Sequence, residues 1–322
     1  MKTFLQRNLP RPVWETLEKT KKAGERPFVT LTRSIAAALG YNIVRKKDYY
    51  SPLPVLSDLQ KNVARWNHPS ALAGIQYDLD KFKTSLAHML ADHYAEFAQL
   101  PCYQEIIHEG FGPGYTELDA LTLYLMLRHY KPRRYIEVGS GVSTYYCSLA
   151  AAHNEKEGHP LQIQCIEPYP YERLHAIPGI QVQVDEVQNI DLALFQALEA
   201  GDVLFIDSSH VLKIDGDVPY LFLEVLPNLQ KGVIIHIHDI PFPYNIPYPA
   251  ETWVLGRSWP MYWTEAMLLQ AFLCFNDRFE ILFSAPMLRY HDEAFLQNHI
   301  PIYQSVAEEA NTFSAIWLRK VA

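Results

Sequence analysis

Two apolar runs in this chain, "DVLFIDSSH" (202–210) and "GVIIHIHDI" (232–240), end in carboxylates and imidazoles. Each reads as a buried strand, and buried polar groups cost free energy unless something satisfies them. Asp207 closes the first run, with His210 three residues on; His236, His238 and Asp239 interrupt the second. Such side chains bind divalent ions or move protons, and an unperturbed histidine titrates near pH 6.5. Side chains alternate along a strand, so His236 and His238 share a face, while Asp239 points away unless the strand has ended. His236 lies deeper, and a core histidine held by internal hydrogen bonds is its competing account. For His210 the competing account is a surface-loop residue with no role in chemistry.

A third stretch, "IEVGSGVST" (136–144), places Gly139 and Gly141 where a strand turns into a helix. Such a turn lets backbone approach a ligand and aims helix N–H groups at it. The dinucleotide fingerprint G-x-G-x-x-G would need glycine at 144, where Thr144 stands, so a nicotinamide cofactor fits poorly. Glu167, in "QCIEPYP", ends the next strand, where a carboxylate can accept two hydrogen bonds from a ribose diol. Glu137 precedes the glycines, and a carboxylate there can face an ammonium group.

The elements that must position these groups alternate from about residue 116 onward. "LDALTLYLMLRHY", "VSTYYCSLAAAH", "DLALFQALEA" and "DVPYLFLEVLPNLQ" read as helices between the strands "RYIEVGSG", "LQIQCIEPYP", "IQVQVDEV", "DVLFIDSSH" and "GVIIHIHDI". That alternation implies an α/β fold with a doubly wound, mostly parallel sheet, whose ligands sit beyond the carboxyl ends of the strands. The tail changes step: helix "TEAMLLQAFLCF", strand "FEILFSA" and a last strand "FSAIWLRK". Residues 1–110 read as a helical appendage without a convincing strand. There "LTRSIAAALGYNIV" is a helix closed by Gly40, and Phe82, Leu86, Met89 and Leu90 stripe a long amphipathic one. "GFGPGY" (110–115) is the hinge, so the expected domains are 1–110, a cap or substrate region, and 111–322. Asp217 is expected to cap its helix, with Pro219 in the first turn. Ser208 and Ser209 are expected to shape their loop. Lys213 reads as solvated, and "FPYNIPYPAETW" (242–253) as a lid or acceptor wall.

The 322 residues carry a net charge of −8, which argues against nucleic acid or an anionic membrane as partner. The four cysteines are scattered without CxxC spacing and read as reduced thiols. The N-terminus lacks a signal-peptide core, and no run of about 18 apolar residues occurs, so a cytoplasmic location is expected. The aromatic-rich appendage is compatible with a homodimer.

"YIEVGSGVSTYY", "IEPYP", the block 201–249 and "WTEAMLLQAFLCFNDRFEILF" together resemble the class I S-adenosylmethionine-dependent methyltransferases. Within that class the resemblance is to a bacterial group related to metal-dependent macrocin-type O-methyltransferases, over roughly 111–322. It implies a Rossmann-like seven-stranded sheet, with S-adenosylmethionine as cofactor. Glu137, Gly139 and Gly141 would line the cofactor's methionine and ribose end, Ser140 and Ser143 would flank the loop, and Glu167 would hold the ribose hydroxyls. Tyr115, at the hinge, is a candidate to close over the cofactor. In metal-dependent members the positions matching Asp207, His238 and Asp239 bind a divalent ion. Imidazole in that set suits a transition metal, Mn or Fe favoured, better than Mg.

The implied reaction moves a methyl group to a small-molecule acceptor that chelates through oxygen, O-methylation favoured over C-methylation. One alternative drops the metal and uses His210 or His238 as general base. A non-haem metal oxygenase is a further one, since two histidines and a carboxylate can form a facial triad. A non-catalytic binding protein is the last.

Overall fold

The computed structural model describes residues 27–44, 49–112, 114–258, 260–303 and 313–322. The N-terminal segment read above for a signal peptide lies outside them. The chain divides into two compact units, Met1–Val63 and Ala64–Ala322. In the first, helix α1 (Pro27–Ala38) is closed as expected by Gly40 at φ 80°, and α2 (Leu56–Lys61) follows.

The second unit starts well before residue 111, because the long amphipathic helix packs on the sheet domain. This helix, α3 (Leu79–Phe97), is capped by Asp78, which accepts from the Lys81 N–H at 3.0 Å. Its stripe of Phe82, Leu86, Met89 and Leu90 is buried in the same core as the strands. Next comes α4 (Glu117–Tyr130), with every residue from Leu118 to Arg128 buried. The sequence division near 110 and the structural division at 63/64 therefore fall at different places.

Seven strands form one sheet: β1 (Arg134–Val138), β2 (Gln162–Ile166), β3 (Ile180–Gln183), β4 (Val203–Ile206), β5 (Ile234–Ile237), β6 (Phe279–Ser284) and β7 (Ile316–Lys320). Their order is β3-β2-β1-β4-β5-β7-β6, parallel except for β7, which runs antiparallel to both neighbours. All four residues of β4 and of β5 are buried, as expected of central parallel strands covered on both faces. The helices between them are α5 (Val142–Lys156), α6 (Leu192–Gln196), and α7, made of Asp217–Tyr220, a π-type stretch Leu221–Val225, and Leu226–Asn228. Helices α8 (Glu265–Leu273) and α9 (Ala285–His299) flank β6. No described helix is long and apolar enough to cross a membrane.

The order reverses between β1 and β4, which is where ligands bind in open α/β sheets. The ladders run one residue past the strands there. Gly139 N–H donates to Ile166 at 3.0 Å, Glu167 N–H to Gln183 at 3.0 Å, Asp207 N–H to Val138 at 2.8 Å and His238 N–H to Ile206 at 2.8 Å. Glu167, Gly139, Asp207 and His238 thus stand in one row along the carboxyl edge.

Candidate active site

On the β1–β2 side, the glycine turn is shaped first by the protein's own backbone. Gly139 has φ 81°, and a Cβ there would collide with the Asp207 carbonyl oxygen; at Gly141 it would come within 2.7 Å of the Phe111 carbonyl. Only glycine lets β1 turn this close to its neighbours. Glu137 lies beneath the turn, fully buried. Its carboxylate accepts from Ser143 Oγ at 2.6 Å and Thr144 Oγ1 at 2.5 Å, so it is held by the first turn of α5. Burial pushes its pKa up to about 7, against the lowering effect of those hydroxyls.

Glu167 accepts from the Ser140 N–H at 3.1 Å with one oxygen and from the Tyr169 N–H at 2.8 Å with the other. Each oxygen keeps a second lone-pair direction for a ligand. Glu167, Gly139, Glu186, Gln188, Lys213 and Asp207 line a cleft of about 370 Å³ at this edge. Glu186 and Gln188, after β3, went unnoticed in the sequence because nothing in their spacing distinguishes them from solvated loop residues. Tyr115 lies elsewhere: its ring sits 4.8 Å from that of His238.

On the β4–β5 side, Asp207, His238 and Asp239 offer ligand atoms that all lie within 4.8 Å of one another. β5 ends at Ile237, and Asp239 has φ 54°, so the chain has left the strand before the aspartate and the alternation no longer turns it away. His238 is 1% exposed with an unpartnered Nδ1 among the described residues. Burial opposes its charge, but Asp239, Asp207 and Asp119 outweigh burial and raise its pKa. Burial likewise opposes the charge of Asp207, yet the nearby His238 and His210 hold its pKa below the usual carboxylate range.

His210 is not a surface residue. It is 6% exposed, at φ 60°, with its ring 4.4 Å from that of Trp263. Its Nδ1 is 2.7 Å from Glu265 Oε2, and its Nε2 is 3.2 Å from Asp207 and 3.5 Å from Asp239. Burial works against the imidazolium, but hydrogen bonds to Asp207 and Glu265 and the charges of Glu265 and Asp239 hold its pKa well above the ordinary value. Glu265, 1% exposed at the start of α8, was invisible in the sequence because it read as the first polar residue of an amphipathic helix. Ser208 Oγ accepts from the His210 N–H at 3.2 Å and donates to Glu265 at 3.0 Å, so that serine shapes the loop as expected.

Two expectations need correction. Asp217 does not cap α7; Gly216 occupies the cap, and the Asp217 carboxylate instead accepts from Ser209 N–H at 2.6 Å and Ser209 Oγ at 2.7 Å, pinning the loop that carries His210. His236 is a core residue but not a hydrogen-bonded one. Neither ring nitrogen has a partner among the described residues; the ring stacks 4.2 Å from Phe205 and meets Trp317 edge-on at 4.6 Å. Burial, then the charge of His238, depresses its pKa well below the ordinary value, so it is neutral.

Residues 136–240 match a family model described as a methyltransferase domain. An uncharacterised protein of Archaeoglobus fulgidus is 29% identical over 166 residues, 47% of this chain and 72% of that one. Among solved structures, the O-methyltransferase TomG of Streptomyces achromogenes with bound S-adenosylmethionine shares 14% identity over 77% of this chain and 92% of its own, at a TM-score of 0.40. An O-methyltransferase of Bacillus cereus in complex with S-adenosylhomocysteine shares 13% over 77% and 93%, at 0.38. The matched segment runs from β1 through the end of β5, so it takes in the glycine turn, Glu167, Asp207, His238 and Asp239.

Proposed function

We propose that the chain methylates an oxygen atom of a chelating small-molecule acceptor, with a divalent ion held by Asp207, His238 and Asp239. The observation that carries this reading is the convergence of those three ligand atoms within 4.8 Å at the edge where Asp207 also lines the Glu167 cleft. Two carboxylates and an imidazole fit a first-row transition ion, Mn or Fe before Mg. Such an ion supplies a Lewis acid that lowers the acceptor hydroxyl's pKa.

The protein's own residues do the positioning. Glu167 receives the ribose hydroxyls of the methyl donor, and Gly139 keeps the strand end flat enough for it to lie across the edge. Glu265 fixes His210 by its Nδ1, and the other nitrogen of His210 holds the Asp207 and Asp239 carboxylates in their relative places. His210 is ill suited as a general base, because those same carboxylates keep its proton on at neutral pH. A positioned donor and acceptor suffice for much of the rate enhancement in methyl transfer, since the sulfonium is already activated.

Calorimetric titration of S-adenosylmethionine and, separately, of Mn²⁺ into chelator-treated protein tests the reading. Two independent isotherms are expected, of which Asp239→Ala removes the Mn²⁺ one alone. Cofactor binding without any metal isotherm would shift the chemistry to a metal-free mechanism. Absence of cofactor binding would overturn the proposal.

A further inference from the structure

The row of functional groups continues past the candidate metal centre. β6 runs parallel to β5, so Ser284 and the start of α9 emerge at the same carboxyl edge, on the side away from Glu167. Between α9 and the segment that follows Asp239 lies a cavity of about 320 Å³, whose wall begins at Pro241. That volume is at the small end of the range for organic ligands. Its lining includes Phe242, Tyr244, Tyr248, Tyr290, Glu293 and Arg289. Tyr244 and Tyr248 stack at 4.1 Å, and Tyr290 meets Tyr244 edge-on at 6.2 Å.

Arg289 is the unusual member. It is 8% exposed, yet no described residue gives its guanidinium a hydrogen bond or an ion pair; the centre of the Tyr248 ring lies 6.0 Å away. A second buried arginine shows what this chain does when a guanidinium is structural. Arg128, 1% exposed, bonds Glu96 at 2.9 and 3.1 Å, Glu157 at 2.5 Å, and Asn154. Buried charges are ordinarily paired in this way, because a lone one forfeits its hydration without return. Five N–H donors in a planar fork, left free in an aromatic cavity, match the two oxygens of a carboxylate.

Resting on the methyltransferase reading above, we propose that Arg289 and its tyrosines anchor the acceptor, and that the acceptor carries a carboxylate on a flat apolar body. The tyrosine faces take the body and the guanidinium takes the carboxylate. The acceptor's hydroxyl end then lies toward Asp239, two residues before the cavity wall begins. A monoanion fits better than a phosphate dianion, since Arg289 is the one cation in the lining and the Glu293 carboxylate faces the same space. Asp119, whose charge acts on both His238 and Arg289, adds to that preference.

Ligand-observed NMR with benzoate, benzamide and phenyl phosphate, on metal-free and cofactor-free protein, tests the anchor without any methyl transfer. Benzoate is expected to bind at millimolar concentration, and benzamide and phenyl phosphate at least about tenfold more weakly. Arg289→Met should remove benzoate binding, Arg289→Lys should weaken it, and both should leave the S-adenosylmethionine isotherm unchanged. If Arg289→Met fails to fold, as a lost cofactor isotherm would reveal, Tyr248→Leu decides: weaker benzoate binding supports the anchor and unchanged binding overturns it. Absence of benzoate binding to unmodified protein that still binds cofactor overturns the anchor alone, as does a preference for phenyl phosphate. Benzoate binding by a protein that binds no cofactor would uphold the anion site and overturn the methyltransferase reading instead.

Discussion

Glu137 on β1 and His236 on β5 stand in the same register row, with Phe205 of β4 between them, and both are fully buried. The two are treated in opposite ways. Glu137 is closed off by hydroxyls six and seven residues along the chain, Ser143 and Thr144. Among the described residues His236 has stacking partners but no hydrogen bond, and nearby His238 Nδ1 and Glu265 Oε1 are unpartnered too. The β1 side of the sheet is therefore completed largely by local sequence. The β5 side keeps polar capacity in reserve and recruits its partners from far along the chain. Each unsatisfied buried group costs about 1–3 kcal/mol, a cost that a site for an ion or substrate carries until it is filled.

The comparison breaks if the two sides cannot be separated by mutation. Asp239→Ala should lower methyl transfer by on the order of a thousandfold while S-adenosylmethionine affinity stays within about threefold. Glu167→Ala should do the reverse in binding, weakening the cofactor isotherm and sparing that of Mn²⁺. Paired titrations of both variants check this; loss of both ligands in either variant would show one undivided site.

The next effect concerns stability. Glu137 has its pKa raised in the folded state, so the native protein holds a proton that the unfolded chain releases between about pH 4.5 and 7. Stability should therefore fall as pH rises through that window, by up to roughly 3 kcal/mol from this residue. Glu137→Gln should flatten the slope, as urea midpoints measured from pH 5 to 8 would show.

Glu265→Gln should reduce turnover by about 10–100-fold, as expected when a group that orients a ligand-supporting histidine is neutralised. It should also lower the His210 pKa, read by NMR of the imidazole protons. The raised pKa of His210 gives stability that is fully present below its ordinary value and lost as pH rises through the raised one. The variant should lose part of that stability at neutral pH. A turnover loss with no movement of the His210 titration would mean Glu265 is merely structural.

The smallest effect is the most diagnostic of reserve. His236→Phe keeps the aromatic stack with Phe205 and removes two unsatisfied nitrogens. It should be neutral or stabilising by about 1 kcal/mol in chemical denaturation, with turnover unchanged. Destabilisation would mean that the His236 nitrogens have partners in solution.

Much of the carboxyl edge was legible beforehand. The alternation of apolar strands and amphipathic helices gave the sheet its strands, and the end of each apolar run marked the row holding Gly139, Glu167, Asp207 and His238. The helix α9 was not read at all, since "APMLRYHDEAFLQNH" mixes aromatic, charged and amide residues without a clean apolar stripe. Asp217 was misplaced by one residue, because a cap and the first helical position carry the same residue types and differ only in which N–H groups lie within reach.

Local physics, then, lets the sequence determine strands, the glycine turn and the polar strand ends, because periodicity and φ preference act between neighbours. Which buried charges are paired is decided only by tertiary structure. Glu265 reaches His210 across 55 positions and Ser314 reaches Asp119 across 195. Arg128 finds three partners, while Arg289 finds none among the described residues. No spacing rule encodes those outcomes, since they depend on which helix ends the twisted sheet brings to one edge.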